Sequence, residues 1–137
     1  MTPEEKVLFI ILRERLKKVM AEVIAEARQK LERHEYDMAD IAITVTLGKN
    51  PEEYKEPYPP HVKAALMLKA FGREVKAGDR IAYVYVRRNP GILPAELARP
   101  EDIDVERYME MLFAVLEQVA EPFGIDVRKL EKKPTIL

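Results

Sequence analysis

The segment Gly78-Asp79-Arg80-Ile81-Ala82-Tyr83-Val84-Tyr85-Val86-Arg87 carries apolar or aromatic side chains on both faces of an extended chain. Ile81, Tyr83 and Tyr85 alternate with Ala82, Val84 and Val86. Such a strand, from Arg80 to Arg87, belongs in the centre of a sheet or is covered on both sides. Lys76-Ala77-Gly78-Asp79 supplies the tight turn into it. Upstream, Ile41, Ile43, Val45 and Leu47 alternate with Ala42, Thr44 and Thr46. That is the pattern of a half-buried strand, apolar side toward a core. Gly48-Lys49-Asn50-Pro51 ends it, and the prolines at 51, 57, 59 and 60 make the next stretch an ordered loop. A helix follows from about His61 to Phe71, stopped by Gly72, with Ala64, Ala65, Leu68 and Phe71 on its buried side. Downstream, Asn89-Pro90-Gly91 turns the chain. Ile92 to Ala98 is an irregular edge strand at most, because Pro94 cannot join a central ladder.

Helices flank this core. Thr2 and Glu5 have capping-box spacing and Pro3 sits at the first helical position. Leu12, Leu16, Met20, Val23, Ala27 and Leu31 then form one stripe of a helix reaching about residue 34. Within it, Val7-Leu8-Phe9-Ile10-Ile11-Leu12 is apolar all round, whereas a surface helix needs only one apolar stripe. Those first turns are expected to lie deeper, or against another chain. Asp104 is an N-cap for a helix from Val105 to about Glu121 that buries Tyr108, Leu112, Val115, Leu116 and Val119. The expected fold is a single α+β domain: a small sheet of a few strands packed on helices, with the long N-terminal helix projecting from it. Its parts are the helix at 1–34, a strand–helix–strand core at 35–102, and the C-terminal helix and tail at 103–137.

Composition excludes several chemistries. The 137 residues include no cysteine and no serine, so disulfides, thiolate metal sites and cysteine or serine nucleophiles are absent. The five glycines are isolated, which excludes a phosphate-cradling glycine loop. Only two histidines occur, His34 and His61, far apart in sequence. His34 reads as a partner of the first helix's C-terminal dipole. Asp102 and Asp104 have the spacing of a carboxylate pair, but they open a helix and read as dipole complement and cap. Glu52 and Glu53, just after Pro51, read as first-turn acids. No catalytic residues, metal or cofactor are expected. The longest apolar run is far short of the ~20 residues that span a bilayer, and it lacks signal-peptide flanks; a cytoplasmic protein without membrane contact is the expectation.

The net charge is −1, yet residues 49–88 hold 9 basic and 5 acidic side chains, while residues 89–137 are net acidic. A basic middle between neutral and acidic ends can attract phosphate at one place. His61 opens a helix after two prolines, where the positive dipole end favours an anion.

The ordered series Ile41-Ala42-Ile43-Thr44, Leu47-Gly48-Lys49, Pro51-Glu52-Glu53-Tyr54-Lys55, Pro60-His61-Val62-Lys63-Ala64-Ala65, Gly78-Asp79-Arg80-Ile81-Ala82-Tyr83-Val84 and Ile103-Asp104-Val105-Glu106-Arg107-Tyr108 resembles the thumb region near the C-terminus of archaeal B-family DNA polymerases. The resemblance covers about residues 16–128. It implies a detached small subunit or isolated thumb. The family's Tyr-Gly-Asp-Thr-Asp palm motif and its exonuclease carboxylates are not in this sequence. It further implies that the chain grips primer–template duplex without sequence choice, for a catalytic polymerase core on another chain. Phosphate contact would fall to Lys49, Lys55, His61 and Lys63, with Tyr54 packing on sugar or anchoring its loop and Arg80, Arg87 and Arg88 extending the basic segment. Four such contacts correspond to a log–log salt slope near −3 to −4. Val7, Leu8, Phe9, Ile10 and Ile11 are the expected partner-binding residues, including for a homodimer through the N-terminal helix. A helical interaction or scaffold domain without nucleic-acid binding is the alternative. The tail Lys132-Lys133-Pro134-Thr135-Ile136-Leu137 lacks the paired aromatic residues of a sliding-clamp peptide.

Overall fold

The computed structural model describes residues 1–132, so the tail beyond Lys132 lies outside the described residues. The fold is α+β, with two compact units: Met1–Glu35 together with the chain from Val105 onward, and Tyr36–Asp104.

In the first unit, helix α1 spans Pro3–Glu32. The Thr2 hydroxyl accepts the Glu5 N–H at 3.2 Å, and Pro3 occupies the first turn. At the other end His34 adopts φ 58°, so that the His34 N–H reaches the Leu31 carbonyl and the Glu35 N–H reaches the Lys30 carbonyl. That is a left-handed helix stop of the Schellman type, with histidine where glycine is commoner. The last long helix of the chain, α4, spans Val105–Ala120. Arg28 meets Glu106 near one end of the pair, and the Arg13 Nε donates to the Phe123 carbonyl at 2.8 Å near the other, so α1 and α4 run antiparallel.

The inward stripe of α1 is Met20, Ile24 and Leu31, with Leu16 and Ala27 half-buried. Leu12 and Val23, expected inside, are exposed. The stripe is turned toward Ile24, an apolar residue beside Val23 that the same periodicity accommodates. On α4 the inward residues are Val105, Met109, Phe113 and Ala120. Tyr108, Leu112 and Leu116 are half-buried and Val115 and Val119 are exposed, which corrects the expected stripe by about one residue. Both stripes have helical spacing, and packing against α1 selects one. Of the apolar run at the start of α1, only Phe9 turns inward, its ring stacked on Phe123 at 5.2 Å; Val7, Leu8, Ile10 and Ile11 are exposed.

In the second unit, the one-turn helix α2 (Met38–Ile41) precedes strand β1 (Ile43–Thr46). Ile41 therefore belongs to a helix, not a strand. Asp37 and Asp40 close a reciprocal capping box, and the Asp37 N–H donates to Asp40 Oδ2 at 3.0 Å. Helix α3 spans Pro60–Ala70, β2 Arg80–Tyr85 and β3 Ile92–Pro94. The sheet is antiparallel in the order β1-β2-β3, with Ile43 opposite Tyr83, Val45 opposite Ile81 and Tyr83 opposite Pro94. β2 is central as its two apolar faces require: Ile81 and Tyr83 are buried on one side, Val84 on the other. The proline-bearing strand is at the edge. One core joins Leu47, Val62, Ala65, Leu68, Val75, Ile81, Tyr83 and Ile92, so α3 lies over the Ile81–Tyr83 face. Phe71, expected in that core, caps α3 and is 73% exposed; Gly72, at φ 89°, turns the chain away directly after it.

Candidate nucleic-acid interface

Lys49, Lys76 and Arg80 flank the end of the sheet where β1 stops and β2 begins, whereas Arg87 and Arg88 follow the other end of β2. The Leu47 N–H donates to the Asp79 carbonyl at 2.9 Å and the Gly78 N–H to the Leu47 carbonyl at 2.8 Å, so the two loops are stitched together. The Ala77 N–H donates to Asn50 Oδ1 at 2.8 Å, which ties the Lys76–Asp79 turn to the loop after β1. Asn50 and Glu53 cap a short 3-10 turn at Pro51–Glu53, and the Asn50 N–H donates to Glu53 Oε2 at 2.9 Å. Glu52 pairs with Lys69. The first-turn acids thus serve the loop itself.

Tyr54 organises this end. Its hydroxyl accepts the Gly48 N–H at 3.2 Å, its ring packs against the core, and Lys49 Nζ lies 4.8 Å from the ring centroid. The His61 ring meets it edge-on at 6.2 Å. Tyr54 is therefore the loop anchor, one of the two roles open to it, and it brings Lys49 and His61 together. At the start of α3 the Val62 and Lys63 N–H groups already donate to the Pro59 carbonyl, at 3.0 and 3.1 Å. Among the described residues the His61 N–H is the first-turn donor left for an anion, fewer than a bare helix start offers.

Lys55 follows Tyr54 and is exposed. Lys63 is exposed on α3, about 200° around the helix from His61. Arg80 is exposed opposite Thr46 in the ladder, on the sheet face away from Ile81 and α3. Tyr54 thus meets both Lys49 and His61, while Lys55 is next in the chain, Lys63 lies on the far side of α3 from His61, and Arg80 lies on the other sheet face. Lys49, Lys55, Lys63, Lys76, Arg80 and Arg87 form no ion pair among the described residues, whereas Arg73 pairs with Glu96 and Arg88 lies 3.6 Å from Asp102. Lys76 was missed by sequence reasoning, which saw its tetrapeptide only as a turn; the Asn50–Ala77 bond that brings it alongside Lys49 has no sequence signature.

Asp102 Oδ2 accepts the Arg99 N–H at 2.9 Å, which closes the 3-10 turn Pro100–Asp102 that precedes α4. Among the described residues no three metal-ligating side chains converge, and no helix is long and apolar enough to cross a membrane.

The sequence and the fold of this α+β segment have relatives among DNA polymerases. Residues 6–122 match the model of DNA polymerase family B. The chain belongs to that family. It is 38% identical over 110 residues to DNA polymerase 1 of Saccharolobus solfataricus, covering 80% of this chain and 12% of that protein. It is 40% identical over 103 residues to DNA polymerase 1 of Aeropyrum pernix, covering 71% and 11%. The solved family B DNA polymerase of the hyperthermophilic archaeon Pyrobaculum calidifontis superimposes with a TM-score of 0.63 at 31% identity, covering 77% of this chain and 14% of that one. The chain thus spans about 12% of the length of its curated relatives.

Proposed function

We propose that this chain is a thumb-like, non-catalytic module of a family B DNA polymerase, one that holds primer–template duplex while a separate polymerase core makes bonds. The observation that carries the reading is the placement of Lys49 and His61 against Tyr54 at the joined end of β1 and β2, with Lys55 next in the chain and Lys76 tied to the same loop through Ala77, and none of these lysines in an ion pair among the described residues. Holding a duplex without sequence choice calls for contacts to phosphate and sugar, not to base edges. Lysines supply these as point charges, and a loop pinned by a tyrosine presents them with little ordering left to do on binding. Arg80 belongs to the same end but lies on the other sheet face, apart from the lysines counted as phosphate contacts.

The test is fluorescence anisotropy of labelled primer–template duplexes of unrelated sequence, titrated with the full chain at low salt. Saturable binding of equal strength across sequences supports the grip. Absence of binding at 50 mM salt, or preference for one sequence, overturns it.

A further inference from the structure

The unit built on α1 and α4 leaves a second apolar stripe of each helix uncovered. On α1 it is Leu8, Leu12, Val19 and Val23; on α4 it is Met111, Val115 and Val119. All seven are between 37% and 59% exposed. At about 100° per residue, each stripe lies roughly a third of a turn from its helix's inward stripe, in the same rotational sense. The helices run antiparallel, so equal offsets of the same sense place both stripes on one side of the pair. The Arg28–Glu106 and Arg13–Phe123 contacts set the register, which brings Val19 level with Val115 and Leu116, and Val23 level with Met111 and Leu112. Half-buried Leu16, Leu112 and Leu116 fill the seam between the stripes. The result is one two-helix apolar face. Fully burying a valine or leucine removes on the order of 100 Å² of apolar surface, so seven half-exposed side chains leave roughly 350 Å². That matches the patches that mark interaction sites.

We infer that this face is the seat of the catalytic body of a family B polymerase, which meets it with an apolar, uncharged surface. The inference rests on the proposed function and adds where the partner binds. Both helices fall almost wholly within residues 6–122, the part shared with the family, and this chain spans only 11–14% of the relatives named above. In those proteins the same helices belong to a body many times larger, with ample surface to cover them. Of the other exposed residues in the first turns, Ile10 lies on the far side of α1 from Leu8 and Leu12 and is no part of the face.

The test is calorimetric titration of the full chain with an archaeal family B polymerase from which the matching segment has been removed, beside light-scattering masses. The wild-type chain is expected to bind one-to-one. V19E combined with V115E is expected to weaken that binding at least tenfold, with melting temperature and duplex affinity unchanged; V115K alone, at the most exposed position, serves if the double variant melts early. The K49A, K55A and K63A combination is expected to keep the core affinity and lose the duplex. Wild-type binding that both face variants retain overturns the face and leaves the proposed function standing. No wild-type binding to the core overturns the partnership itself. A wild-type dimer that V19E and V115E dissociate assigns the face to a second copy and also overturns the inference.

Discussion

Removing charge from the joined end of β1 and β2 should change how duplex binding responds to salt. Four lysines stand there without a carboxylate partner among the described residues: Lys49, Lys55, Lys63 and Lys76. If each neutralises one phosphate, counterion release gives a slope of log K against log salt of about −3.6. Lys49→Ala, Lys55→Ala and Lys63→Ala together leave one of the four, so the slope should flatten to about −0.9. Each single variant should flatten it by about 0.9. The assay is anisotropy of a labelled duplex at several salt concentrations between 50 and about 300 mM, with binding measured on two unrelated sequences. Melting curves confirm that the variants fold, as substitution of exposed lysines should allow. A triple variant with the wild-type slope would show that phosphate is met elsewhere, whatever its affinity. Weaker binding to only one of the two sequences would show base readout and refute backbone grip.

Other outcomes concern the scaffold. Arg28 donates to Glu131 at 2.7 Å and to Glu106 at 2.6 Å, and these hydrogen bonds raise its pKa; Arg28→Ala should cost about 1–2 kcal/mol in urea unfolding, discounted for partial exposure. Glu110 is held below its ordinary value of 4.5, first by the hydrogen bond from Arg128. A carboxylate lowered in the folded state stabilises fully above its unfolded pKa and loses that contribution as pH falls through the folded value. Acid unfolding of wild type and Arg128→Ala should therefore differ above pH 4.5 and converge below it. Ile24 is wholly buried on α1, so Ile24→Ala should destabilise by about 2–5 kcal/mol, read from denaturant midpoints.

Much of the fold was legible because period and punctuation agreed. β2 announced its central place by being apolar on both faces, and Pro94 placed its strand at the edge. The cap at Thr2 and the proline after it located the start of α1. Where the sequence misled, two answers shared one period. In α4 the stripe through Val115 and Val119 and the stripe through Met109 and Phe113 are both helical, and only the partner helix decides between them. Ile41 continued an apolar alternation, but the capping box of Asp37 and Asp40 claims it for a helix. Phe71 fits the core by spacing, but it falls at the C-cap of α3, past the last helical residue, and is exposed.

The basic pole was legible in part. The lysines and His61 were visible as an ordered set around the loop after β1. The meeting of Lys49 and His61 at one tyrosine, and the tie between the Lys76–Asp79 turn and the loop after β1, were not, since they depend on the Tyr54 hydroxyl reaching Gly48 across six residues and on Asn50 bonding the Ala77 N–H across twenty-seven. Both are hydrogen bonds to backbone, which any residue carries, so nothing in the local composition foretells them. Arg80 shows the converse: it is close along the ladder, yet the two-residue period of the strand sets it on the opposite face from the core.

The most direct measurement of duplex grip is amide chemical-shift mapping of the isotopically labelled chain, titrated with primer–template DNA. Shifts concentrated in residues 48–63 and 76–80, and reduced by added salt, are the predicted result. Shifts confined to α1 and α4, or none at saturating duplex, would contradict it.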